Sequence, residues 1–71
     1  MFVVTMSGEL VNLLNVKTIY IHTYDDKNFF VTANFGVNEE THLFYSSEEN
    51  CKKYLSKIFV LMEQKNITVS F

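Results

Sequence analysis

Across residues 16–45 large apolar and aromatic side chains occupy both alternating faces of a strand-like pattern, yet the chain has one helix-like segment with which to cover a face. Strand side chains alternate with a period of two. The run 17–24 therefore sends Ile19 and Ile21 one way and Tyr20, His22 and Tyr24 the other. The next run repeats the arrangement, with Phe29, Val31, Ala33 and Phe35 set against Phe30, Thr32 and Asn34. One face of the sheet is expected to be left seeking a partner.

The remaining elements follow from the same patterning. Residues 2–6 form a short β-branched and aromatic run closed by Ser7-Gly8, a two-residue hairpin signal before Glu9-Leu10-Val11-Asn12. Leu13, Leu14 and Asn15 break the alternation, which predicts a turn or short helical kink before the strand that starts near Val16. Asp25-Asp26-Lys27-Asn28 and Gly36-Val37-Asn38 are turn-forming stretches between strand runs, and together they predict an antiparallel meander. Cys51, Tyr54, Leu55, Ile58, Phe59 and Met62 then fall on one face of a helical repeat. Ser46 with Glu49 reads as a capping box at its start, Glu48 and Glu49 precede Lys52 and Lys53 by one turn, and Asn66 reads as its stop. Val60 lies opposite the apolar stripe and is expected to face solvent or a partner. Residues 67–71 alternate cleanly, with Val69 and Phe71 as contact candidates in a last strand that completes its own sheet or adds to the edge of a second copy. The predicted fold is α+β, an antiparallel β-meander of four or five strands with one C-terminal amphipathic helix packed on one face.

Composition narrows the class. At 71 residues the chain is read as one domain, 1–71, too small to leave much apolar surface uncovered without cost. Apolar residues at 48% and charged residues at 20% suit a folded protein and exclude a disordered tail. The net charge is −2 and every basic side chain is lysine. Arginine supplies the forked donors suited to phosphate and guanine, and an acidic surface repels a polyanion, so nucleic acid is a disfavoured partner. One cysteine, Cys51, cannot close a disulfide within the chain, which fits a reducing cytoplasm. The N-terminus lacks a basic segment and a signal-length apolar run, and no stretch reaches the length of a membrane span; a cytoplasmic protein with no membrane contact is expected.

Candidate chemistry is sparse. His22, His42 and Cys51 form the soft-metal set, but their separations do not match the paired short spacings of zinc sites, so no metal is expected. A nucleophilic Cys51 with a histidine partner would need an exposed thiol, and its place on the apolar stripe points to burial. The adjacent pairs Asp25-Asp26 and Glu39-Glu40 read as solvated turn or strand-start residues, and no glycine loop precedes the helix. No catalytic residue and no cofactor is expected. What remains is the aromatic face of Tyr20, His22, Tyr24 and Phe30, joined by Phe44 and His42 as the register allows. Tyrosine-rich, lysine-poor patches suit protein interfaces. The competing readings are a stacking platform for single-stranded nucleic acid and a sheet that curls to bury both faces.

Thr5, Ser7-Gly8, Leu10-Val11-Asn12-Leu13, Val16, Ile19 and Ile21, and the helix opening Ser46-Ser47-Glu48-Glu49 resemble a recurring type of small uncharacterised protein from low-GC Gram-positive bacteria and their phages. The resemblance covers most of the chain and carries no catalytic residues. It implies a small accessory protein of a phage or mobile element that binds and inhibits a host protein, such as a component of antiviral defence. The expected activity is therefore non-catalytic protein binding, with a protein partner, itself included as a homodimer.

Overall fold

The computed structural model describes residues 1–64, so the expected last strand with Val69 and Phe71, and the Asn66 helix stop, lie outside the described residues. The elements are β1 (Phe2–Val4), β2 (Leu10–Asn12), β3 (Thr18–Thr23), β4 (Phe29–Gly36), β5 (Glu39–Ser46) and α1 (Glu48–Gln64). All strand pairs are antiparallel, and the fold is α+β as the pattern predicts. The strands divide into two sheets, the β1-β2 hairpin and the β3-β4-β5 meander.

The hairpin turns more widely than a two-residue loop. Thr5 N–H donates to the Glu9 carbonyl at 2.7 Å and Gly8 N–H to the Thr5 carbonyl at 3.0 Å, which leaves Met6, Ser7 and Gly8 as the loop. Gly8 has φ of 89°, the left-handed conformation that a three-residue hairpin loop places at this position and that glycine adopts without a Cβ clash. The Thr5 hydroxyl accepts Glu9 N–H at 3.0 Å and closes the turn from inside. Alternation turns Val3 and Val11 toward the core and leaves Phe2, Val4 and Leu10 exposed on the outer side.

The β4–β5 ladder is irregular at two steps, between Val31 and Thr32 and between Asn34 and Gly36, and the first decides which side chains face the helix. Val31 pairs with Phe44 and Thr32 with His42, so Leu43 is an extra residue on β5, a β-bulge. Leu43 and Phe44 consequently both serve the helix side. Leu43 is fully buried, and the Phe44 ring stacks on Tyr54 of α1 at 4.6 Å and 4°. The Leu43 carbonyl accepts Met6 N–H at 3.0 Å, the backbone hydrogen bond that ties the hairpin to the meander.

Helix α1 buries the expected stripe: Cys51, Ile58 and Met62 are buried, and Tyr54 and Leu55 are half-buried against the same core as Leu13, Val31, Ala33 and Leu43. Its cap sits one residue later than the Ser46–Glu49 spacing suggests. Ser46 still belongs to β5, where it pairs with Phe29, and Ser47 provides the cap: its Oγ accepts Asn50 N–H at 3.3 Å. Glu48 and Glu49 do reach Lys52 and Lys53 at 3.7 and 3.6 Å, both pairs on the exposed surface. Val60 is 53% exposed, as its position opposite the stripe requires.

The bulge makes Leu43 a joint as well as a core residue. Leu43→Ala is expected to cost about 2–5 kcal/mol in urea unfolding, a large share of the stability of so short a chain. Val60→Ser should stay within about 0.5 kcal/mol. A Leu43→Ala cost as small as that of Val60→Ser would contradict this role.

Candidate interaction face

The face of the meander turned away from the helix is a grid fixed by register. Thr18, Asn34 and Glu40 form one row, Tyr20, Thr32 and His42 the next, and His22, Phe30 and Tyr45 the third. Tyr24 follows at the end of β3. The expected residues Tyr20, His22, Tyr24 and Phe30 are thus brought together, and His42 joins them. Phe44 does not, because the bulge turns it to the helix. Tyr45 takes its place, with its ring 5.9 Å from Phe30. Val60 is not part of this face: it stands exposed on the helix, beside Ser56, Lys57, Leu61 and Gln64.

The rings pack on one another. His22 lies 5.3 Å from Tyr20, 4.8 Å from Tyr24, 5.7 Å from Phe30 and 5.6 Å from His42, and Phe30 lies 4.8 Å from His42. Beneath them Thr32 is fully buried. Its Oγ1 stands 2.9 Å from His22 Nε2 and 2.8 Å from His42 Nδ1. A hydroxyl has one hydrogen to give, so with both imidazoles neutral one ring donates to Oγ1 and the other accepts from it. The central rings are therefore held in place by a buried polar bridge as well as by packing. Tyr20, His22 and Phe30 are half-buried, whereas Tyr24 and Tyr45 remain 72% and 51% exposed.

Carboxylates edge the grid. Glu40 Oε1 accepts the Tyr20 hydroxyl at 3.1 Å and the Asn34 amide at 3.3 Å. Burial among its neighbours, then the hydrogen bond to Glu40 and its charge, raise the Tyr20 phenol above its ordinary value. At the opposite end the turn 25–28 is built around Asp25, whose Oδ1 accepts Asn28 N–H at 2.9 Å and Lys27 N–H at 3.0 Å. These backbone donors, Asn28 first, hold the Asp25 carboxyl below its ordinary value. Tyr24, Asp25, Asn28, Phe30 and Tyr45 line an open hollow of about 380 Å³.

The other titratable candidates lie elsewhere. Cys51 is fully buried on the helix side of the sheet, its thiol donating to the Phe29 carbonyl at 3.3 Å, so neither histidine of the outer face approaches it. Among the described residues no group of three His, Cys, Asp or Glu side chains could hold a metal ion, and no helix is long and apolar enough to cross a membrane. The pattern gave no reason to group the outer hairpin residues Phe2, Val4 and Leu10 as a patch, yet they are 60–67% exposed side by side.

No protein-family model, no curated protein and no solved structure matches the chain.

Removing the buried hydroxyl tests the bridge. Thr32→Val keeps the shape of the side chain and should cost about 1–3 kcal/mol by urea unfolding, while nitrogen NMR should show the tautomer populations of both imidazoles changing together. Unaltered tautomers would mean that Thr32 does not link them. Asp25 sets a pH dependence whose sign follows from its depressed folded-state value. The turn is stabilised above the ordinary carboxyl range and loses that support as pH falls through the folded value. Amide protection at Lys27 and Asn28 should drop in acid, and Asp25→Asn should flatten the response.

Proposed function

We propose that the chain is a non-catalytic protein-binding module and that the outer face of β3-β4-β5 is its contact surface. The observation that carries this reading is the register-fixed cluster of Tyr20, His22, Tyr24, Phe30, His42 and Tyr45, with two tyrosines rising from a pre-formed aromatic base. Tyrosine contributes contact area at a small cost in rotamer entropy, and rings already packed on one another lose little further freedom on binding. Glu40 and Asp25 on the same face favour a protein over a polyanionic nucleic acid. The resemblance to small phage and bacterial accessory proteins supports a host protein as the target, with inhibition as the outcome and the cytoplasm as the setting. The exposed outer side of the hairpin supports self-association as a separate contact.

Sedimentation at micromolar concentration and capture of partners from the native host, each with Tyr24→Ala, Tyr45→Ala and Val60→Ser, test this reading. The tyrosine variants should weaken a captured partner by about 5- to 30-fold, the range of interface residues worth 1–2 kcal/mol, while Val60→Ser leaves it unchanged. A strict monomer whose captured proteins are indifferent to both tyrosines would end it.

A further inference from the structure

We propose that the hollow between Tyr24, Phe30 and Tyr45 receives an arginine side chain of a different protein. The proposal rests on the reading of the outer sheet face as a protein contact surface and names the chemistry that this face recognises. Three rings form the walls: Tyr24 meets Phe30 at 5.4 Å and 63°, and Tyr45 meets Phe30 at 5.9 Å and 38° from the other side. The hollow, about 380 Å³, is shallow and largely open to solvent, so a side chain can enter it without any rearrangement. Ring faces attract a cation through their quadrupole, most effectively one that gives up water readily.

The fourth wall supplies the opposite charge. Asp25 is held ionised by the backbone donors of its own turn, and that turn fixes where the charge sits. The ion pairs among the described residues, Lys52 with Glu48 and Lys53 with Glu49, both lie on the helix, so none of the described lysines forms an ion pair with Asp25. Each of its oxygens accepts from the turn, at 2.9 and 3.0 Å on Oδ1 and 3.2 Å from the Asn28 side-chain amide on Oδ2, which leaves one lone-pair site, on Oδ2, for a further donor.

Arginine fits this combination better than lysine. A guanidinium is planar, stacks on tyrosine and is weakly hydrated, whereas an ammonium holds its water strongly and asks for several close acceptors. The sequence contains no arginine, so a second copy of it could bring lysine or histidine to this site but no guanidinium. The occupant is then a partner of different sequence.

The test is an NMR titration of the whole chain with a blocked Gly-Arg-Gly peptide, with citrulline and lysine versions as comparators. Citrulline keeps the shape of arginine and removes its charge. Saturable shifts at Tyr24, Asp25, Phe30 and Tyr45 are expected, with arginine about tenfold tighter than citrulline, a preference in the range of a cation–π contact. Asp25→Asn keeps the acceptor that the turn needs and should remove most of the preference. Tyr45→Leu should weaken binding while leaving the fold intact. Equal binding of citrulline and arginine, or shifts scattered away from the hollow, would overturn the proposal. If arginine fails here while Tyr24→Ala and Tyr45→Ala still release a captured partner, the contact-surface reading stands and this one falls.

Discussion

One extra residue in β5 sets the geometry of both faces of this protein. A strand with strict alternation would place Leu43 and Tyr45 on one face and His42 and Phe44 on the other. The bulge at Leu43 breaks that phase. It gives the helix side two consecutive apolar side chains, Leu43 and Phe44, and returns Tyr45 to the face that already holds Phe30 and His42. The residue left out of the ladder also turns its carbonyl to Met6, which fastens the hairpin. Core, aromatic face and the junction between sheets thus depend on one local irregularity, in keeping with the role of bulges in re-aiming side chains.

Much of the fold was legible because periodicity is a direct record of burial. The stripe of α1 reads straight from the sequence, since Cys51, Ile58 and Met62 must share one side of a helix and only that side meets the sheet. The pairing of Tyr20, His22 and Phe30 is legible for the same reason, with period two in place of 3.6. The bulge is where this reasoning fails, because counting by twos assumes one residue per step on each strand. The run Leu43-Phe44-Tyr45 does not betray it, because Phe29-Phe30-Val31 is equally unbroken and pairs in regular register. Thr32 was hidden differently. A threonine in a strand carries no mark that its hydroxyl will be shared by two histidines ten residues away on either side.

The cap of α1 shows how a local motif yields to a longer-range constraint. Ser46 has the right spacing to Glu49 for a capping box, but its backbone is committed to the ladder opposite Phe29. Ser47 is the first residue released from the sheet, so it takes the cap. Ser46 keeps a supporting part, its hydroxyl accepting the Asn50 side-chain amide at 3.0 Å.

The same separation of duties runs through the aromatic face. Tyr20, His22 and Phe30 pack over a buried Thr32 and behave as a small second core, so part of the surplus apolar surface is covered by the chain itself. Tyr24 and Tyr45 stand clear of that layer, beside a carboxylate fixed by its turn. Charge is distributed to match. Helix α1 carries three glutamates and three lysines, so the net charge of −2 arises from the strands, the loops and the residues beyond the helix. Glu40 and Asp25 stand at the two ends of the ring cluster on the sheet side, whereas the charges of the helix balance one another. The face is in that sense already oriented: a rigid aromatic floor, two projecting rings, and negative charge at either end of the grid.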